Sequence, residues 1–377
     1  QRDGQEYWTA LRERLGQAQR PLLRRSERLD ALGAGKRFGF DSQRFPSVSA
    51  VAVAPFIQRA AKDQWDLLQA HAENLARLGV PSLPPLAERL PGVGEVAWPY
   101  DGDLLYEETF TARALADEYG LTPSQNAVDA ARASLRSLVR ALGGRPSRYY
   151  AILQMDGDSM GEHIWCCGQE ALHTELSLRL HRFAGRARGV VEKHMGRVVY
   201  AGGDDVLALL PLTSAVPAAC ELAAVFESLF GDWPAEALPH RGDRLVPFTV
   251  SAGLAVAHER YPLSAALAAA GRAERSAKAR PGKAALAVRV LVRSGVPVEA
   301  CAPWTDLGSQ FQAVCRRLEQ GDYSPRLAYN LAAEAEVLAS LPREAIEAEL
   351  SRLALRQRNP RKVTAEAARG LARDLGE

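Results

Sequence analysis

Tyr149-Tyr150-Ala151-Ile152-Leu153-Gln154-Met155 runs into Asp156-Gly157-Asp158-Ser159-Met160-Gly161, and further on Gly202-Gly203-Asp204-Asp205 stands between two apolar runs. The first stretch reads as a buried strand ending in an acidic turn. The second reads as a hairpin with an acidic tip. Between them, Leu172, Leu176, Leu180, Phe183, Ala187 and Val190 recur at three and four, the spacing of a crossover helix with one apolar face. Two acidic points separated by one crossover can converge on a divalent cation, because carboxylate oxygens are what Mg²⁺ and Ca²⁺ prefer.

The rest of the chain extends this pattern. Both hairpin arms, Arg197 to Ala201 and Val206 to Leu210, are nearly continuous apolar runs and read as central strands. A helix to Phe230, a strand Phe248 to Ala257, a helix Leu263 to Ala279 and a strand Ala284 to Val292 follow. The order strand, helix, strand, strand, helix, strand, helix, strand predicts an α+β fold, a ferredoxin-like palm with strands appended. It is flanked by helical regions at both ends, which divides the chain into 1–145, 146–300 and 301–377.

In the first of these, residues 1 to 32 read as helix, and Lys36-Arg37 before Phe45-Pro46-Ser47-Val48-Ser49 is either a phosphate-admitting segment or a plain solvated loop. Residues 57 to 80, 105 to 120 and 124 to 142 read as helices around a Pro-rich connection over 81 to 104. That connection holds a second Asp-Gly-Asp, Asp101 to Asp103, with no strand before it and no long helix after it, so it reads as ordinary turn chemistry. Residues 304 to 377 read as a small helical bundle broken at Pro325, Pro342 and Pro360.

Composition bounds the function. With 47% apolar and 24% charged residues, the 377-residue chain is of globular type and can bury large cores. The net charge of +2 conceals 41 Arg against 6 Lys, which suits phosphate contacts but equally follows from a GC-rich genome. Cys166, Cys167, Cys220, Cys301 and Cys315 show no CxxC spacing, so neither a zinc site nor a disulfide framework is expected, and the chain reads as cytoplasmic. No apolar run approaches the ~20 residues of a membrane helix, and no membrane association is expected. Gln1 in place of Met reads as a processed chain or a piece of a longer one.

From residue types alone, Asp156, Asp204 and Asp205 are the candidate metal ligands, with Gly202 and Gly203 letting the backbone approach a ligand closely. Asp158 is either a further ligand or a helix cap. Lys278, late on its helix, either reaches a triphosphate or sits on the surface where the helix dipole favours it. Ser251 either lines a nucleotide pocket or packs.

Tyr149 to Gly161, Leu172 to Phe183, Val199 to Pro211, Phe248 to Ala257 and Arg272 to Lys278 closely resemble the second palm domain of the large polymerase-like subunit of type III CRISPR effector complexes, the Cmr type. More distantly the palm resembles GGDEF nucleotide cyclases. The resemblance implies conversion of ATP to cyclic oligoadenylates upon target-RNA recognition, with Mg²⁺ or Mn²⁺, other complex subunits, guide RNA and target RNA as partners. It implies Asp156 and Asp204 as metal ligands, and Asp205 as a ligand or the group assisting deprotonation of the attacking hydroxyl. It also implies Ser251, Gly202 and Gly203 near the nucleotide, and Lys278 on its phosphates. This sequence lacks the family's His-Asp nuclease motif, its first palm and its cysteine pairs, so half of a site that lies between two palms is expected from elsewhere. A scaffold with a vestigial site, and a stand-alone GGDEF-like cyclase, are the alternatives.

Overall fold

The computed structural model describes residues 44–292, 296–307, 309–338 and 340–376, together with residues 8, 10, 11, 13 and 14. The helical reading of 1 to 32, apart from those few positions, and the Lys36-Arg37 segment lie outside the described residues.

The chain divides into two compact units, Gln1–Cys301 and Ala302–Glu377. In the first, α1 (Val48–Asp63), α2 (Trp65–Arg77) and α3 (Gln125–Ala141) precede β1 (Tyr149–Gly157) and the short α4 (Met160–Cys166). The crossover helix α5 (Glu170–Lys193) then leads to β2 (Arg197–Gly202), β3 (Asp205–Pro211) and α6 (Leu212–Phe230). After a small ribbon at residues 240–245 come β4 (Val250–His258), α7 (Leu263–Ala279), β5 (Ala285–Val290) and β6 (Val298–Pro303).

The sheet order is β2-β3-β1-β4-β5-β6. β1 is antiparallel to both β3 and β4, β2 is antiparallel to β3, and β5 is parallel to β4. The first four strands therefore have the ferredoxin-like order, and the expected α+β palm with added strands is present. Antiparallel pairing also explains how distant residues meet. The C-terminal end of β1 lies between the starts of β3 and β4, with Met155 opposite Val206 and Asp156 opposite Ser251.

Two layers of helix cover this sheet. On one face, Tyr150 and Ile152 of β1 share a core with Ala266, Ala269 and Ala270 of α7, Val51 and Phe56 of α1, and Trp98 of the Pro-rich connection. α5 and α6 cover the other face, where Phe183 meets Phe226 edge-on at 5.0 Å and Phe230 stacks on Phe248 at 4.6 Å. Each fully buried large side chain contributes roughly 1.5–3 kcal/mol, so these two cores dominate the stability of the unit.

Several elements differ from the sequence reading for physical reasons. The helix read from residue 57 begins earlier, as α1 at Val48, whose N-cap is Ser47, its hydroxyl accepting from Ala50 N at 3.0 Å. Residues 105–120 form only short turns of helix. β2 is an edge strand, with Val199 and Tyr200 exposed, and only β3 of the two arms is central. α6, read as a helix to Phe230, is long and apolar enough to cross a membrane by length and composition, which the expectation of no such run did not foresee. In the fold it is a core helix, with Ala218, Ala219, Leu222 and Phe226 buried.

The second Asp-Gly-Asp has a structural part. Asp101 Oδ1 accepts from Ser47 Oγ, from Ser49 Oγ at 3.0 Å and from Gly102 N at 2.5 Å, tying the connection to the first turn of α1. The second unit holds four helices, Ser309–Glu319, Arg326–Leu338, Arg343–Gln357 and Ala365–Gly376, around Tyr323, Leu327, Leu353, Val363 and Leu371.

Candidate active site at the rim of the sheet

The end of β1, the β2–β3 turn, the start of β4, the end of α7 and the turn into β5 all reach the same rim. Gln154 and Asp156 lie on the face that α7 covers: a Cβ on Gly271 would meet Gln154 Oε1 at 3.2 Å, and Lys278 of α7 donates to Asp156 Oδ2. Lys278 Nζ also donates to Gly157 O at 3.1 Å and lies 3.4 Å from Glu274 Oε1, one helical turn back. Burial, and after it the Lys283 ammonium, pull Lys278 down to about 8. The direct pairing with Asp156 favours the charged form, so the amine carries its proton at neutral pH.

The β2–β3 connection is a two-residue turn in which Gly202 pairs with Asp205. Gly203 at φ +63° takes the left-handed position that opens such a turn, leaving Asp204 second. The Asp204 carboxylate folds over Gly157 and accepts a backbone hydrogen bond from it. A Cβ on Gly157 would lie 2.5 Å from Asp204 Oδ2, so only glycine lets this carboxylate close onto the end of β1. Burial first, and then the neighbouring Asp205, raise Asp204 above the ordinary carboxylate range, although the Gly157 bond works against this. Burial raises Asp205 as well.

Asp204 thus closes onto Gly157, the residue next to Asp156 at the end of β1, and the exposed Asp205 follows it at the start of β3. No group of three or more His, Cys, Asp or Glu side chains forms a ready metal cage among the described residues. The donor set still fits a hard cation. Three carboxylates reach one rim, Asp156 already holds an ammonium, and burial leaves Asp204 and Asp205 with raised proton affinity, which a cation would offset. Gly202 and Gly203 lie in the turn as read; a Cβ on Gly202 would meet Tyr200 Oη at 2.5 Å.

Asp158 takes a place that neither of its alternatives gave, while Ser251 takes the packed one of its two. Asp158 is only 2% exposed, and its Oδ2 accepts from Thr249 Oγ1 at 2.8 Å, Ser251 Oγ at 3.0 Å and Ala284 N at 3.1 Å. The N-cap position of α4 belongs to Ser159, without a side-chain cap bond. The Ser251 hydroxyl, fully buried, is committed to Asp158, so any influence on a nucleotide passes through that carboxylate.

Sequence reasoning missed Glu274 and Lys283. Glu274 is buried at 7% exposure, and its carboxyl is raised by burial foremost, with Asp158 and Asp205 adding to it and Arg275 opposing. Its signal was its position four residues before Lys278 on one helix face. Lys283 Nζ donates to Ser159 Oγ at 2.9 Å, and nothing in its local sequence announces this.

Residues 149–287 match the family described as Cas10/Cmr2, second palm domain. The CRISPR system Cmr subunit Cmr2 of Pyrococcus furiosus is 31% identical over 222 residues, which cover 51% of this chain and 24% of that protein. A chain of the type III-B Cmr-beta complex bound to cognate target RNA has the same fold over 85% of this chain and 44% of its own, with a TM-score of 0.57 at 14% identity. A GGDEF domain from Pseudomonas aeruginosa aligns more loosely, over 38% of this chain and 77% of its own, with a TM-score of 0.25 at 24% identity. The resemblance to the Cmr-type subunit is thereby borne out over the palm. The chain spans about a quarter of the length of the curated relative and less than half of the Cmr-beta chain.

Proposed function

We propose that residues 146–300 are the palm of a type III CRISPR effector subunit of the Cmr type, and that it joins ATP into cyclic oligoadenylate by nucleotidyl transfer. On this reading residues 1–145 and 301–377 serve partner subunits, guide RNA and target RNA, in the cytoplasm. The observation that carries it is that one rim brings together the Lys278 ammonium on Asp156 and the Asp204 carboxylate against the adjoining Gly157.

Asp156 and Asp204 would hold Mg²⁺ or Mn²⁺, with Asp205 adjoining. When bound, two such ions supply charge neutralisation at the attacking and leaving oxygens of phosphoryl transfer. The chain's own residues do the rest. Lys278 is a point charge for the phosphates, and Gly202 and Gly203 give the nucleotide room beside the turn. Asp205, with its raised proton affinity, accepts the proton of the ribose 3′-hydroxyl that attacks the α-phosphate. The new bond joins O3′ to the α-phosphorus, the bond to the bridging oxygen breaks, and pyrophosphate leaves.

The test is the assembled complex with ATP, Mg²⁺ and target RNA. Oligoadenylate is expected from the native complex and loss of at least a hundredfold from Asp204→Ala with Asp205→Ala; undiminished product from that variant refutes the reading. The pairing of Lys278 with Asp156 also favours a second reading, a scaffold whose amine has replaced a cation. Calorimetry separates the two, because a scaffold shows no Mg²⁺-dependent ATP binding that Asp156→Ala abolishes.

A further inference from the structure

Asp158 lies two residues beyond Asp156, but it belongs to a different construction. Its Oδ2 takes three donors at once: two hydroxyls from the start of β4 and the backbone N–H of Ala284 from the turn between α7 and β5. Its own N–H donates to Thr249 O at 2.8 Å, so main chain and side chain bind the same partner strand. Asp158 Oδ1 is buried without a hydrogen-bond partner. One oxygen therefore holds three chain segments together.

What it holds is a strained segment. Lys283 at φ 51° and Ala284 at φ 46° are consecutive left-handed residues with side chains, and Ser159 at φ 57° is a third, facing them. Side-chain-bearing residues adopt this region seldom, and two in succession persist only where the surroundings impose them. The Ala284 N–H bond to Asp158 and the 2.9 Å bond from Lys283 Nζ to Ser159 Oγ hold this turn from outside, beside its own backbone bond from Lys283 N to Arg280 O at 2.9 Å. The turn in turn fixes where α7 ends, and Lys278 sits in its last turn.

We propose that Asp158 is a positioning residue for the nucleotide's phosphates. By holding the Lys283–Ala284 turn in its left-handed form, it sets the end of α7 so that the Lys278 and Lys283 ammonium groups stand on the same side of the rim. It touches neither cation nor substrate. This inference rests on the proposed nucleotide site and names the device that orients its cationic side.

The experiment compares the native chain with Asp158→Ala, Asp158→Asn, and Asp158→Ala combined with Ala284→Gly. Hydrogen exchange at the Ala284 amide is followed without nucleotide, and ATP binding with Mg²⁺ is followed by calorimetry. Asp158→Ala is expected to speed exchange at that amide at least tenfold and to weaken ATP binding at least tenfold. Glycine adopts the left-handed region without steric cost, so Ala284→Gly is expected to restore most of the affinity in the Asp158→Ala background. Asp158→Asn, the variant to use should Asp158→Ala fail to fold, keeps a weaker neutral acceptor, and several-fold faster exchange is expected.

Unchanged exchange and binding in the Asp158 variants overturns the proposal. So does weakened binding that Ala284→Gly leaves unrestored, because that outcome assigns Asp158 a direct contact with the ligand. Absence of ATP binding in the native chain instead overturns the nucleotide-site reading, and the exchange measurement still tests the clamp by itself.

Discussion

Gly157→Ala separates the site from the fold. The residue has no positive φ, so alanine suits the backbone, and the conflict is confined to side chains. The new Cβ would lie 2.5 Å from Asp204 Oδ2 and 2.5 Å from Met160 Cγ, each 0.9 Å short of the 3.4 Å at which ordinary contact begins. Both are side-chain atoms that can swing aside, so the expected loss of stability is at most about 1–3 kcal/mol, the range for modest overpacking. The Asp204 carboxylate must then leave its place against the Gly157 backbone. Since a misplacement near 1 Å can cost about a hundredfold in a preorganised site, Mg²⁺-dependent ATP binding should fall by roughly that factor. Thermal melting and calorimetry on one preparation read both quantities. If Gly157→Ala binds ATP and Mg²⁺ within about threefold of the native chain, the place of Asp204 against Gly157 does not serve the site and the reasoning fails, since a preorganised site should lose about a hundredfold.

Gly253→Ala should behave in the opposite way: its Cβ would meet Ala273 C at 2.8 Å, with Glu274 N and Ala270 O nearer still, all backbone atoms of α7, so a drop of roughly 1–3 kcal/mol in unfolding free energy is expected in denaturant titrations. Asp204→Asn should stabilise the metal-free chain at pH 7 by about 0.5–2 kcal/mol while removing activity. The sign follows from the raised pKa: the folded state holds the proton more tightly than the unfolded one, so stability declines as pH rises from the ordinary carboxylate value through the folded one, and melts across that interval should show the decline in the native chain and not in the variant. Lys278→Met leaves Asp156 without its ammonium in a partly exposed pair, for a loss of about 1 kcal/mol by melting, together with loss of ATP binding by calorimetry. His71, buried against Ser134 Oγ at 2.9 Å and Leu104 O at 3.1 Å, is lowered to about 4 chiefly by burial, so the folded state resists protonation. Stability should therefore fall as pH drops from 6.5 to about 4, by up to about 3 kcal/mol, and His71→Gln should flatten that part of the acid melting profile.

The sheet was legible because its strands carry unbroken apolar runs and its crossover helix a regular stripe. β1, β3, β4 and α5 stand within a few residues of where their patterns end. What escaped was set by neighbours. β2 has the composition of a central strand, yet nothing pairs with its outer side in the sheet, and that is a property of topology. The turns over 105–120 follow from packing that no 3.6-residue period encodes. At the site, Asp156 and Asp204 were legible from type and spacing. The Asp158 clamp was not, because its three partners lie 91, 93 and 126 residues away, and because Gly282 announces a left-handed residue without showing that Lys283 and Ala284 continue it.

The charges at the rim explain why the site is built as it is. Asp204, Asp205 and Glu274 all hold protons more tightly than ordinary carboxyls, with burial the leading cause for each, while Lys278 holds its proton less tightly than an ordinary amine for the same reason. Each group is thus kept in an environment that disfavours its own charged form, a cost that folding alone would not retain. Pairing Asp156 with Lys278 relieves one carboxylate and leaves Asp204 and Asp205 side by side at the end of the β2–β3 turn. Divalent cations on the carboxylates and a polyphosphate on the lysines relieve both sides together. Ligand binding should therefore be strongly cooperative, ATP tightening Mg²⁺ and Mg²⁺ tightening ATP by the same factor, as linkage demands.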